Sequence, residues 1–223
     1  MKLRTPLRWY ETALAFAALA AGCSAFAQEL PREVKQVFAT FNEEKIQFRE
    51  EPLIIGSDQA KLTAVLFYAQ ACTDSEEFIR NAFPEIKKKY IDTNKLRLIV
   101  HEYPLNWRDI QLLAGLRCLP ADKQLEAMVD AASRRLANIF RKSTFTNAPG
   151  FFTSTLTKFG LSEDQANKCM RNVEIIGHIE GLRKLAVEQW NITSTPTLLI
   201  GTATYTGLTN PALISEILEK HLK

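Results

Sequence analysis

The sequence predicts a mixed α/β fold in which helices cover a small sheet and a helical block interrupts the chain. An apolar run at residues 63–68 and a second strand-like segment at 96–102 flank a helix-patterned stretch, which predicts two parallel strands joined by a crossover helix. Residues 109–171 are helical in pattern throughout. Two short strands joined through Gly201 then predict a terminal hairpin. We expect the helical block, about residues 105–172, to pack on the rim of the sheet.

The first 27 residues have the parts of a secretory signal. Basic residues precede an apolar segment at residues 13–21, and small residues lead to a cleavage site after Ala27. The apolar segment is well short of the roughly 20 residues that a membrane-spanning helix needs. We therefore expect export to the periplasm or beyond. Cys23 partly fits a lipoprotein motif, although the large apolar residue of that motif, Leu19, stands one place too early. A lipid anchor at Cys23 is therefore the alternative to soluble export. We expect contact with a membrane only if Cys23 is lipidated.

Residues 28–50 are predicted to form an N-terminal helical segment, because four apolar residues recur there at helical spacing, namely Val34, Val37, Phe38 and Phe41. The main domain is expected to span residues 51–223. Its strand at 63–68 is apolar at nearly every position, which is typical of a strand buried on both faces. The helix that follows runs from Cys72 to about residue 91, with Pro84 predicting a kink.

The second half of the chain is helical up to its terminal hairpin. The helical block is broken at Pro120, at Gly160 and around residues 149–150. The next helix is expected at about residues 173–190, with one apolar side. The two strands of the hairpin are expected at 197–200 and 203–206, and a last helix begins at Pro211, a residue suited to a first helical turn.

The charge balance gives no sign of a nucleic-acid partner, and we expect no cofactor. The leader carries three basic residues and one acidic residue, so its removal lowers the net charge from +3 to +1. The histidines and cysteines lack the spacing of metal ligands, so we expect no metal site.

Cleavage after Ala27 leaves three cysteines, an odd number in a compartment where disulfides persist. Cys118 and Cys169 lie in helix-patterned segments with apolar neighbours, whereas Cys72 lies at a strand-to-helix junction beside polar residues. We therefore expect a disulfide between Cys118 and Cys169 and a free thiol at Cys72. Two separate buried thiols at 118 and 169 are the alternative.

The order of these features resembles the thioredoxin superfamily, specifically the periplasmic DsbA-like disulfide oxidoreductases. The resemblance covers a strand leading to Cys72 at a helix start, Pro84 inside that helix, the helical insertion, and Ser-Thr-Pro-Thr at residues 194–197 before an apolar strand. It implies a thioredoxin fold with an inserted helical domain. It also implies that Pro196 is a cis-proline opposite the active-site cysteine.

The chemistry expected at this site centres on one sulfur. At the start of a helix, Cys72 faces unpaired backbone N–H groups and the positive end of the helix dipole, which favour the nucleophilic thiolate. The oxidases of the family that the sequence resembles carry Cys-x-x-Cys, but Ser75 stands where the second cysteine would be. A serine hydroxyl cannot close a disulfide with Cys72. An intramolecular redox cycle is therefore excluded, and a client cysteine, a small thiol or a separate reductase must release any mixed disulfide.

We therefore predict an exported DsbA-like thiol-disulfide exchange protein that forms mixed disulfides with cysteine-containing clients through Cys72. Thr195 and Pro196 are expected to shape a groove for an extended client segment, beside which Tyr68 either lines the groove or belongs to the core. The alternative is a redox-inactive chaperone or peptide-binding module on the same fold. A glutathione-dependent transferase using an active-site serine is a third interpretation, against which the secretory signal argues.

Overall fold

The computed structural model describes residues 46–137 and 148–223. The predicted signal, Cys23 and the predicted helix of the N-terminal segment lie outside the described residues. The last part of that segment, residues 46–50, is described and is not helical.

A five-stranded sheet forms the centre of the fold. Its strands are β1 (Leu53–Ile55), β2 (Leu62–Tyr68), β3 (Leu96–Glu102), β4 (Thr197–Ile200) and β5 (Ala203–Thr206), in the spatial order β1-β3-β2-β4-β5. β2 pairs with β3 in parallel and with β4 antiparallel, and β4 and β5 form the expected hairpin. β2 is therefore hydrogen-bonded along both of its edges.

The strand β1 is a feature that the sequence pattern did not predict. It pairs antiparallel with β3 at the edge of the sheet, with Leu53 and Ile55 buried and Ile54 exposed. Three residues are too few to give a recognisable alternation of apolar and polar positions.

Helices cover both faces of the sheet and form the inserted block. They are α1 (residues 73–91), α2 (Trp107–Arg117), α3 (Ala121–Ser133), α4 (Ala148–Lys158), α5 (Glu163–Arg171), α6 (Val173–Trp190) and α7 (Pro211–Leu222). α1 continues through Pro84, with a π-helical turn at Phe78–Ala82 directly before it. A proline has no N–H to donate to the carbonyl four residues earlier, so regular α-helical bonding cannot continue unchanged across it.

The buried side chains of β2 alternate between two cores. Leu66 and Tyr68 point into the core shared with α1 and α7, and Phe67 points into a smaller core that includes Ala186 of α6. This arrangement explains why the strand is apolar at nearly every position.

The helical block has its own apolar core, built from α2 to α6. Cys118, at the end of α2, and Cys169, on α5, are joined there in a disulfide. Gly115 on α2 lets α4 approach closely, since a Cβ at this position would overlap the Leu156 side chain. Among the residues described, no helix combines the length and the apolar character needed to cross a bilayer.

A buried ion pair connects this block to the sheet. The Arg117 guanidinium donates to Glu102 on β3 at 2.5 Å, and both side chains are almost fully buried. The same guanidinium donates to the backbone carbonyls of Arg49 and Glu50. These bonds hold residues 49–50 in a non-helical conformation, because their carbonyls are satisfied by a side chain instead of by a helical turn.

Candidate active site

The antiparallel pairing of β2 and β4 brings residues 69–72, here called the cysteine loop, to the Ser-Thr-Pro-Thr segment. Phe67, near the end of β2, is paired with Thr197, the first residue of β4. The residues that follow β2 and the residues that precede β4 therefore meet at the same end of the sheet. Cys72 is the N-cap of α1, with an extended backbone conformation, and its carbonyl accepts the Glu76 N–H at 2.9 Å.

The Cys72 thiol is half-buried and donates a hydrogen bond to the Thr195 carbonyl, with 3.2 Å between Sγ and the oxygen. The Thr195–Pro196 peptide bond is cis. The sulfur receives no hydrogen bond from the first turn of α1. In its thiol form the sulfur therefore donates to the Thr195 carbonyl.

Two other predicted site residues, Ser75 and Tyr68, are fully buried. Ser75 lies one turn after Cys72 on α1, and its hydroxyl has no hydrogen-bond partner within the described parts of the chain. Tyr68 belongs to the core beneath the site, so the expectation that it lines a client groove is wrong and the core alternative holds. Burial, and next the charge of Asp109, raises the pKa of Tyr68 well above its usual value.

Asp109 contacts the cysteine loop, a contact that no sequence pattern predicts. It lies in the first turn of α2, is fully buried, and accepts the Ala71 N–H at 3.1 Å and the Leu105 N–H at 3.0 Å. Burial raises its pKa to about 7, against the lowering effect of these two N–H groups and of the Gln70 N–H. Asn106 caps α2, so the spacing Asn-x-x-Asp looks like an ordinary capping pattern. Such a pattern gives no indication that the Asp109 carboxyl also bonds to Ala71.

A second buried carboxyl ties α1 to the helical block. Glu76, one turn after Cys72, accepts the Ala137 N–H at 2.8 Å. Burial raises the pKa of Glu76 above its usual value, and this hydrogen bond partly offsets the effect. Both buried carboxyls near the cysteine therefore bond to backbone groups that come from another part of the chain.

An exposed apolar surface adjoins the cysteine loop. Leu105 and Trp107 are 47% and 54% exposed. They belong to the wall of a cleft of about 490 Å³, formed by Pro104, Leu105, Asn106, Trp107, Ile110, Glu180 and Arg183. Because the Asp109 carboxyl binds both Ala71 and Leu105, this cleft is held next to the loop that carries Cys72.

Within the described residues, no group of histidine, cysteine and acidic side chains could hold a metal ion. The chemistry available at the site is that of one thiol, its carbonyl partner and the buried carboxyls.

The raised pKa of Asp109 predicts a pH dependence of stability. The folded protein keeps this proton up to about pH 7, while the unfolded chain loses it near the ordinary value of 3.8. Between these values the folded state binds more protons, so the free energy of unfolding falls as the pH rises, by at most about 4 kcal/mol. Urea unfolding from pH 4 to 8 should show this fall in the wild-type protein and a flatter curve in Asp109→Asn. Parallel curves would show that Asp109 has an ordinary pKa.

Comparisons with known proteins agree with this architecture. The sequence model of the thioredoxin family matches residues 49–220. A Rickettsia felis protein named as a candidate protein-disulfide oxidoreductase is 29% identical over 86 residues, which cover 39% of this chain and 29% of that protein. The match thus spans less than a third of that relative's length.

Solved structures are similar over most of both chains. The structure of alpha-DsbA1 from Wolbachia pipientis has a TM-score of 0.66 at 20% identity, covering 77% of this chain and 90% of that one. BdbD from Bacillus subtilis has a TM-score of 0.64 at 17% identity, covering 77% of this chain and 92% of that one. The predicted fold, a thioredoxin fold with an inserted helical domain, is confirmed. The chain belongs to the thioredoxin family and has the fold of its DsbA-like members.

Proposed function

We propose that the protein exchanges disulfides with cysteine-containing client proteins, forming mixed disulfides through Cys72. The observation that carries this proposal is a half-buried thiol at the N-cap of α1, within hydrogen-bond distance of the Thr195 carbonyl. Among the described residues, Cys72 is the one cysteine outside a disulfide. The names of the curated relatives, which refer to protein-disulfide oxidoreductases, support the same chemistry.

The exchange needs no external oxidant. The Cys72 thiolate attacks one sulfur of a client disulfide, forms a new sulfur–sulfur bond to it, and releases the other client sulfur as a thiolate. A free client thiolate then attacks the mixed disulfide and regenerates Cys72. Both steps conserve the number of disulfide bonds, so the net reaction rearranges client disulfides without oxidising or reducing the client.

Ser75 gives the mixed disulfide a longer lifetime than a dithiol site would. The second cysteine of a Cys-x-x-Cys site attacks the mixed disulfide from within the same protein, whereas a serine hydroxyl is not a comparable nucleophile toward sulfur. Release then depends on a client thiol, a small thiol or a separate reductase.

Thr195 provides a contact for the client backbone. In the reduced protein its carbonyl accepts the hydrogen bond of the Cys72 thiol. Once the sulfur enters a disulfide that proton is gone, and the carbonyl is free to accept a backbone N–H from an extended client segment. We propose that Thr195 and Pro196 in this way align the client next to Cys72.

Export fits the same function. The leader-like residues 1–27 and the Cys118–Cys169 disulfide are both typical of proteins that leave the reducing cytosol. We propose that the protein works in the periplasm or outside the cell, where client disulfides persist.

One observation favours a second candidate, a chaperone or peptide-binding module without redox activity. Exposed Leu105 and Trp107 beside the cysteine loop are suited to contact apolar client residues whether or not a disulfide forms. The two candidates differ in whether capture of a client requires the sulfur.

Trapping in cells separates them. Acid quenching, alkylation and non-reducing electrophoresis should reveal adducts of the wild-type protein that a reductant removes. Cys72→Ala should abolish them, because the sulfur that links the client is gone. Ser75→Ala is the matched control and should retain them, since it changes the neighbouring site residue and leaves the lone thiol. Client binding that is unchanged in Cys72→Ala would contradict the exchange function and favour the chaperone.

Restoring a dithiol should shorten the life of the adducts. In Ser75→Cys, the new thiol lies one helical turn from Cys72 and resolves mixed disulfides internally. We expect fewer adducts in cells and a gain of insulin-reducing activity in the presence of a small dithiol. If mass spectrometry finds a 72–75 disulfide but neither change occurs, mixed disulfides at Cys72 are not part of the protein's activity.

A further inference from the structure

We propose that Asp109 is a positioning residue for this exchange: its carboxyl fixes the backbone before Cys72 and thereby holds the sulfur beside Thr195. This inference rests on the proposed function and assigns a role within the same site to a residue of the inserted helical block.

The sheet stops supporting the cysteine loop shortly after the end of β2. β2 and β3 are paired in parallel as far as Tyr68 and Glu102, and one further bond follows, from the Tyr103 N–H to the Tyr68 carbonyl at 2.8 Å. Beyond this point the backbone bonds between the two segments end. The loop that leads to Cys72 and the loop that leads to α2 therefore need another connection.

Asp109 supplies that connection. One oxygen accepts the Ala71 N–H at 3.1 Å and the other accepts the Leu105 N–H at 3.0 Å, so a single carboxyl joins the two loops. Ala71 directly precedes Cys72, and the Cys72 N–H bonds to the Ala69 carbonyl at 3.2 Å in a tight turn. Fixing the Ala71 N–H therefore limits where the Cys72 backbone, and hence Sγ, can lie.

The side chains of the cysteine loop do not connect the two loops in this way. The Gln70 side chain is fully buried and makes no hydrogen bond to the loop that leads to α2. Asp109 is also fully buried, so water does not compete for its two bonds. A neutral amide at this position accepts through one oxygen only, and its NH₂ group would face an N–H. Asparagine therefore keeps one of the two bonds at most.

The bridge should also respond to pH. Protonation turns one carboxyl oxygen into a hydroxyl, which weakens its bond to one of the two loops. Tyr68 on β2 interacts electrostatically with Asp109, and it also interacts with Cys72 and Glu76 of α1. Burial raises the pKa of Asp109 to about 7. The hydrogen bond to one of the two loops therefore weakens within the pH range in which thiol-disulfide exchange is measured.

The test compares rates of mixed-disulfide formation between the purified protein and a short peptide whose one cysteine is held as a disulfide to a chromogenic thiol. Asp109→Asn should react at least about tenfold more slowly, because small displacements of a reacting group carry large costs in rate. Asp130→Asn is the matched control. Asp130 is another mostly buried carboxylate of the helical block, but it pairs with Arg134 and Lys158 instead of the cysteine loop. Its variant should stay within about twofold of the wild type.

A second readout separates positioning from general stability. The wild-type rate should show an inflection near pH 7 that Asp109→Asn lacks, under conditions where circular dichroism shows both proteins folded. If Asp109→Asn does not fold, the wild type alone suffices: in NMR spectra, the amide protons of Ala71 and Leu105 should titrate with the same midpoint as the rate.

Several results would overturn the inference. These are a folded Asp109→Asn with the wild-type rate and inflection, an equal loss of rate in Asp130→Asn, or amide protons of Ala71 and Leu105 that do not shift near pH 7. A wild-type protein that forms no adduct with the peptide would overturn the proposed function as well, so the two failures are distinguishable.

Discussion

The position of the candidate site depends on the central strand, β2. It pairs with β3 in parallel along one edge and with β4 antiparallel along the other, and helices bury both of its faces. A strand constrained on four sides has one register, because a slip by one residue would turn each β2 side chain from one core to the other. The fixed end of β2 in turn fixes where Cys72 begins α1 and where Thr195 meets it.

The inserted helical block contributes to the site as well as to the bulk of the domain. Asp109 at the start of α2 bonds to the cysteine loop, and Ala137 bonds to Glu76 of α1. Arg117 at the end of α2 pairs with Glu102 on β3. Buried charges and carboxyls are costly unless satisfied, so each of these contacts favours one position of the block relative to the sheet. The block therefore acts as a support for the cysteine loop.

The long elements could be predicted from sequence because each carries many positions of one pattern, as α6 and the two parallel strands do. β1 could not, because a three-residue edge strand has no periodicity to detect. Asp109 could not, because an acidic residue in a first helical turn is ordinary, and only the fold brings it to Ala71. Tyr68 was ambiguous for a related reason: the end of a buried strand can face either the core or the surface, and packing against α1 and α7 decides it.

The central claim is that one sulfur, that of Cys72, carries the client. The most direct measurement incubates the reduced protein with a disulfide-bonded test peptide, quenches with acid, digests without reductant and locates the peptide by mass spectrometry. The account predicts one peptide per protein, linked to the fragment that contains Cys72, with the Cys118–Cys169 disulfide intact. A peptide linked to Cys118 or Cys169, or no linked peptide at all, would contradict it.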